Sequence, residues 1–198
     1  MMASINPLGE RARGNRWCRT AGAFSAGCVL GGWALGAAAA AIGTAVAALA
    51  PAPANVLLLT ATALVLSAGV AELGDWPVPT VRRQVDELWI GRYRGWVYGA
   101  GFGVQLGVAL ATTVTSAAVY AAVGLAAVLG AAGEPAWAQA TGIAFGLARA
   151  LPVVGGWALH DAASLRRRVA RAAAAATGCR LASGCCLCGM AAWTAAAL

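Results

Sequence analysis

Apolar residues dominate four long runs of the chain, and short polar segments separate these runs. They cover residues 21–49, 55–73, 96–132 and 136–159, and a shorter fifth run covers residues 181–198. A membrane-crossing helix needs about 20 mostly apolar residues. The pattern therefore predicts an all-α integral membrane bundle of about five transmembrane helices, the last of which is just long enough to cross.

The composition supports a membrane protein. Of the 198 residues, 61% are hydrophobic and 11% are charged, whereas about 25% are charged in a typical soluble domain. A soluble domain of this size leaves too much surface outside its core to hide so many apolar residues. The first run also exceeds the roughly 7–15 apolar residues of a signal peptide, so we expect it to be retained as a span.

The basic residues predict the orientation of the bundle. All of them are arginine, a usage that, with the high Ala and Gly content, is typical of a GC-rich bacterial genome. They lie in short groups between apolar runs, where topology-determining charges occur, and this placement argues against a nucleic-acid partner. The predicted order is a cytoplasmic basic N-terminus (1–20), a transmembrane core (21–159), a cytoplasmic Arg-rich segment (160–180) and a possible last span (181–198) in the bacterial cytoplasmic membrane.

The run 96–132 is too long for one simple crossing, since a straight helix of this length would measure about 54 Å. The sequence leaves open one broken helix or two short ones. If the run crosses only once in net terms, all the large arginine groups lie on one side of the membrane. We therefore expect one net crossing, with the N-terminus inside and the C-terminus outside.

The charged loop 74–95 is predicted to lie along the membrane surface. Trp76, Trp89 and Trp96 punctuate it, and tryptophan prefers the headgroup level. Within this loop, residues 80–89 have the spacing of a short amphipathic helix whose apolar face, including Trp89, would meet lipid.

Three polar residues inside apolar runs are candidates for an ion pair or a polar pathway: Arg149, Glu72 and Gln105. A charge within a span is costly and usually has a partner or a function. Glu72 is the best partner for Arg149 by predicted depth. The alternative for Arg149 is that its side chain extends to the cytoplasmic headgroups.

Glycine pairs spaced four apart predict close helix packing. Gly32 and Gly36 form one pair, and Gly99 and Gly103 form another. Such small residues let a second helix approach closely, either within the chain or in a homo-oligomer or a membrane partner.

The cysteines offer a weaker redox hypothesis. Cys28 lies in the first run, and Cys185 and Cys188 form a C-x-x-C spacing near the C-terminus. Thiol redox chemistry and metal binding both use this spacing, but small thiols also pack as ordinary apolar residues. With a single histidine and no recognisable catalytic group, the sequence predicts neither a metal site nor a cofactor, and an enzyme is the less favoured class.

Three segments carry a resemblance to known families. Arg82-Arg83-Gln84-Val85-Asp86-Glu87, Tyr98-Gly99-Ala100-Gly101-Phe102-Gly103 and Phe145-Gly146-Leu147-Ala148-Arg149 resemble small bacterial membrane proteins related to the CcdA-like cytochrome c biogenesis, methylamine-utilisation and sulfite-exporter-like families. The resemblance implies a helical membrane domain that handles a small solute or reducing equivalents. CcdA-like members use one cysteine in each half of that domain, whereas residues 96–159 here contain none.

Three functions remain open on the sequence. The first is a small transporter or exporter component, with Arg149, Glu72 and Gln105 facing an interior cavity. The second is a non-catalytic membrane scaffold subunit, with Gly-rich faces left open for another chain. The third is a membrane thiol-disulfide conduit, which needs Cys28 to face Cys185 or Cys188.

Overall fold

The computed structural model describes residues 5–80, 88–109, 114, 116–158 and 161–196, and every element within them is helical. The helices are α1 (Pro7–Ala12), α2 (Trp17–Leu49), α3 (Ala54–Leu73), α4 (Leu88–Arg92), α5 (Gly95–Val108), α6 (Ala118–Ala131), α7 (Pro135–Val154) and α8 (Ala162–Ala195). A 3₁₀ turn, Gly155–Ala158, connects α7 to α8. Two of the helices, α2 and α3, are long and apolar enough to cross a membrane by length and composition.

The 33-residue helix α2 forms the centre of the bundle, and α5, α6 and α7 all pack on it. Helix α5 lies along its first half, because Gly27 meets the backbone of Ala100–Val104 and Gly31 meets that of Val104–Val108. Helix α6 lies along its second half, where Leu35 packs beside Val119 and the Thr44 hydroxyl donates to the carbonyl oxygen of Gly130 at 3.1 Å. Residue numbers rise together in both contacts, so α5 and α6 run in the same direction as α2.

Helix α7 runs antiparallel to α2. Gly146 meets Cys28, Gly142 meets Gly32, and Ala138 meets Gly36, so residue numbers fall on one helix as they rise on the other. These contacts exist because glycine has no side chain to hold the two backbones apart. A Cβ on Gly142 would overlap the carbonyl oxygen of Gly32, and the packing therefore depends on glycine at this position.

The remaining long helices, α3 and α8, form an antiparallel pair. Thr62 hydrogen-bonds Thr194, with 3.0 Å between the hydroxyl oxygens, and Gly69 contacts Cys188. Helix α3 also packs on α6, since Gly124 lies against Leu64. The N-terminal part of α8, around residues 169–179, is exposed.

The apolar runs predict most of the helix boundaries. Run 21–49 corresponds to α2 and run 55–73 to α3, where Pro51 and Pro53 separate the two helices. The run 96–132 contains two helices, α5 and α6, which follow one another along α2 in a single direction. This arrangement excludes a single straight helix for that run.

The polar segments differ more from the sequence expectation. The Arg-rich segment 160–180 and the last apolar run 181–198 largely belong to one continuous helix, α8. Trp89, which was expected to face lipid, instead stacks on Phe102 of α5 with ring centroids 6.1 Å apart. Most of the predicted amphipathic helix, together with the Arg82–Glu87 motif, lies outside the described residues.

Candidate functional site at the break between α5 and α6

The break between α5 and α6 interrupts the run that was predicted to cross the membrane once. Helix α5 ends at Val108, and α6 begins at Ala118. Ala109, at the end of α5, has a φ of 55°, a left-handed conformation that is unfavourable for a residue with a Cβ. Helix ends leave backbone N–H and C=O groups without partners inside the helix, so the break requires polar groups from elsewhere.

Glu72 supplies a carboxylate to the start of α6. It lies one residue before the end of α3 and is 5% exposed. Its Oε1 accepts a hydrogen bond from the Ser116 hydroxyl at 2.5 Å and one from the Ala118 backbone N–H at 3.4 Å. A negative charge is favourable at the N-terminus of a helix because the peptide dipoles place partial positive charge there. Glu72 therefore caps α6 from a different helix.

Thr80 contacts Val114, which lies between α5 and α6. Its hydroxyl oxygen accepts a hydrogen bond from the Val114 backbone N–H at 2.6 Å. Val114 itself is buried and packs in a small cluster with Ala109 and Val119. Val114 is therefore held by both polar and apolar contacts.

Arg180 of α8 completes the polar group on the other side of Glu72. Its Nη1 donates to the backbone carbonyl oxygen of Glu72 at 2.5 Å and lies 3.3 Å from Oδ1 of Asp75. A cation at the C-terminus of α3 complements the partial negative charge there. Because the Asp75 side chain is 77% exposed, its ion pair with Arg180 contributes little, and the bond to the carbonyl is the stronger anchor.

These groups border a cleft between α3, α8 and the break. Its volume is about 480 Å³. Six polar or charged side chains line it: Glu72, Asp75, Ser116, Thr177, Arg180 and Ser183. The cleft therefore places a buried carboxylate, an arginine and three hydroxyl groups around a space large enough for several water molecules or a small solute.

The structure places Arg149 away from Glu72. Its guanidinium lies over the Phe145 ring, with 5.2 Å from Cζ to the ring centroid. The Nε and Nη2 atoms are buried and make no hydrogen bond with the part of the chain that the structure describes. Ion pairs in that part join Arg13 to Glu10 and Arg180 to Asp75. Among the described residues, therefore, no carboxylate forms an ion pair with Arg149.

Arg149 lies closer to the end of its helix than the apolar run implied. It lies five residues before the end of α7 at Val154, which is about 8 Å along the helix axis. The apolar run alone extends to residue 159 and implied a greater depth.

Gln105 is half-buried on α5. Glu72 lines the cleft described above, and Arg149 and Gln105 are not among its lining residues.

The predicted glycine faces are used within the chain. Gly32 and Gly36 pack on α7, while Gly99 and Gly103 pack on α2 against Thr20 and Phe24. These four positions are therefore covered and do not offer a free face to a second chain.

The structure does not bring the candidate redox thiols together. Cys28 is buried on α2 between α5 and α7, whereas Cys188 packs on Gly69 of α3 and Cys185 is exposed on α8. All three are free thiols.

A second buried carboxylate, Glu10 of α1, was not among the candidates. It is fully buried, and its Oε1 accepts hydrogen bonds from the Tyr98 hydroxyl and from Arg13 Nη2, the latter at 2.6 Å. Its Oε2 accepts one from the Thr20 hydroxyl at 2.8 Å. The sequence signal was Asn6-Pro7, an N-cap followed by proline at the first helical position, which marks α1 as a helix and Glu10 as part of it.

Burial of Glu10 acts to raise the pKa of its carboxyl group. Hydrogen bonds from Tyr98, Arg13 and Thr20, together with the positive charge of Arg13, act in the opposite direction. The net result is a pKa below the ordinary value of 4.5. Glu10 is therefore an ionised structural anchor that ties α1 to α2 and α5.

Comparison with known proteins adds no relative. No family model matches the chain, and neither the curated proteins nor the solved structures contain a significant match.

Proposed function

We propose that the chain is an integral membrane protein with five crossings, made by α2, α3, the α5–α6 pair, α7 and the C-terminal half of α8. The apolar character of α2 and α3 supports this topology. The helix directions support it as well, because α5 and α6 run with α2 while α7 runs against it. One end of the bundle then carries the arginines around residues 11–19, 92–94 and 166–171, as expected for a cytoplasmic face.

Within that membrane protein, we propose a role as a component of a small transporter or exporter. The observation that carries this proposal is the interrupted span α5–α6, with the Glu72 carboxylate at the start of α6. Discontinuous spans are a recurring way for transporters to build a solute or ion site from helix ends and unwound backbone. A buried carboxylate beside a polar cleft is also a group that can exchange a proton or a cation.

The test is a flux assay on purified full-length protein in sealed vesicles. Release or uptake would be measured for protons, potassium, chloride and sulfite, each with and without an imposed gradient. We expect at least one flux above that of empty vesicles, and Glu72→Gln should abolish it because the substitution removes the charge while keeping the side-chain shape.

Glu134→Gln is the matched control for this assay. Glu134 is an exposed carboxylate at the opposite end of the bundle, at the N-cap of α7, and its replacement should leave the flux unchanged. Vesicles as impermeable as empty ones to the whole panel would argue against transport of these solutes. If both variants lost the flux equally, Glu72 would have no specific role in the transport pathway.

The scaffold alternative has its own supporting observation on α8. Small exposed residues recur there at spacings of four and three: Gly178, Ala182, Cys185, Gly189 and Ala192. A Cβ added at Gly178 or Gly189 would meet no atom within 4 Å. Such a stripe is typical of helix contacts in membranes. If the chain is a scaffold subunit, a cross-linker attached at Cys185 should give a discrete adduct with a second chain in native membranes. Gly189→Leu should prevent this adduct.

A further inference from the structure

The connection between α7 and α8 carries a basic cleft that neither the fold nor the transport proposal explains. Its volume is about 420 Å³, and it is lined by Ser164, Arg167, Arg168 and Arg171. Three of these four side chains are cationic, and no carboxylate is among them. We propose that this cleft binds the phosphate headgroup of an anionic glycerophospholipid. The proposal rests on the membrane location of the chain and not on its transport role.

The geometry of α8 presents the arginines on one face. Residues 164, 167, 168 and 171 are spaced by three, one and three positions, which places them on the same side of a helix. Asp161 fixes the first turn, because its carboxylate accepts a hydrogen bond from the Ser164 backbone N–H at 2.5 Å in a capping box. The face that carries the arginines is therefore formed without a ligand.

The three arginines have different roles at this site. Arg168 donates a hydrogen bond to the backbone carbonyl oxygen of Gly155 and so joins α8 to the end of α7. Arg167 and Arg171 are exposed, and they take no part in the two ion pairs found among the described residues. Their guanidinium groups have the planar donor geometry that matches phosphate oxygens.

An exposed apolar stripe on α7 ends at the same place. Leu147, Leu151 and Val154 follow one another at spacings of four and three and are 52%, 67% and 46% exposed. The stripe stops directly before Gly155, the residue that Arg168 holds. A phospholipid matches both features, since its acyl chain would lie along the stripe while its phosphate meets Arg167 and Arg171. A soluble anion or a nucleic acid has no acyl chain to contact the stripe.

The test compares two double variants of the full chain in nanodiscs by native mass spectrometry. The nanodiscs contain phosphatidylcholine with a minor fraction of phosphatidylglycerol or cardiolipin, and lipid that remains bound after release is counted. Arg167→Gln/Arg171→Gln should bind the anionic lipid about thirtyfold more weakly, since each basic side chain near the headgroups strengthens binding about fivefold. The control Arg92→Gln/Arg94→Gln removes the same charge from exposed positions and should retain the lipid.

Two results would overturn the proposal. Equal lipid retention by the two double variants would mean that net charge alone attracts anionic lipid. Saturable binding of inorganic phosphate to the chain in pure phosphatidylcholine discs, lost in Arg167→Gln/Arg171→Gln, would assign the cleft to a free anion. If the glutamine variant fails to fold, Arg167→Ala alone and Leu151→Gln replace it, and each should weaken lipid retention while Arg92→Ala does not.

Discussion

The hydroxyl of Tyr98 donates a hydrogen bond to the carboxylate of Glu10 across 88 positions of sequence. This contact joins the first helix of the chain to α5, and Asn15 adds a hydrogen bond to the same hydroxyl oxygen at 3.3 Å. The N-terminal segment is therefore part of the packed bundle, although its four arginines predict only a cytoplasmic basic N-terminus.

Removal of the Tyr98 hydroxyl should lower the stability of this end of the bundle. We expect Tyr98→Phe to reduce the free energy of unfolding by about 1–3 kcal/mol, because a buried carboxylate loses a hydrogen bond. Thermal unfolding in detergent would measure the change. Tyr93→Phe is the control, since Tyr93 is 48% exposed, and it should have little effect. Equal effects of the two substitutions would contradict a special role for the Glu10 contact.

The lowered pKa of Glu10 predicts acid sensitivity. A carboxyl group whose pKa is lower in the folded chain than in the unfolded one stabilises the fold at pH values above 4.5. That contribution is lost as the pH falls below 4.5 and through the folded-state pKa. Unfolding temperatures measured from pH 7 to pH 3 should fall more steeply for the wild type than for Glu10→Gln, which has no proton to gain. Parallel curves of unfolding temperature against pH would show that Glu10 does not contribute to the acid sensitivity.

Glycine substitutions should separate covered from open helix faces. A Cβ on Gly103 would overlap the backbone of Phe24 and Cys28, whereas one on Gly189 would meet nothing within 4 Å. Gly103→Ala should therefore destabilise the chain by several kcal/mol or prevent its assembly. Gly189→Ala should stabilise α8 by about 0.5–1 kcal/mol, because alanine is the better helix former. Circular dichroism melts of the two variants give a direct comparison, and a neutral Gly103→Ala would disprove the α2–α5 contact.

Arg149 and Arg180 should respond in opposite ways to replacement by leucine. Arg149 places two nitrogen atoms in the bundle without hydrogen-bond partners among the described residues, so Arg149→Leu should leave stability unchanged or raise it. Arg180 donates to the end of α3, so Arg180→Leu should lower it. Unfolding temperatures of both variants would decide this. A strongly destabilised Arg149→Leu would point to a partner outside the described residues.

The sequence located the apolar helices because their signal is local. Helices α2 and α3 are continuous apolar runs separated by Pro51 and Pro53, and their observed ends lie within four residues of the predicted ones. Helix α8 was divided in two because arginines interrupt its apolar pattern. Its alanine-rich stretch at residues 172–176 favours a helix regardless of hydropathy.

The polar contacts were harder to find because they depend on distant positions. Glu72 was selected by its depth, but its partners Ser116 and Ala118 follow from where the α5–α6 run breaks, and neither glycine nor proline marks that point. Glu10 was missed because its identity as an anchor depends on Tyr98, far along the chain. Local patterns predict where helices lie, whereas the pairing of isolated polar groups requires the register of packed helices.

The most direct test of the proposed pathway is the water accessibility of the break from each side of the membrane. A single cysteine would be placed at Ser116 in a cysteine-free chain and treated with a membrane-impermeant thiol reagent in oriented vesicles. Ala126→Cys, at a position on α6 that is 2% exposed, serves as the buried control. We expect Ser116→Cys to react rapidly from the side that carries the arginine groups, and Ala126→Cys not to react. An unreactive Ser116→Cys, or one that reacts only from the opposite side, would contradict a water-filled site at the start of α6.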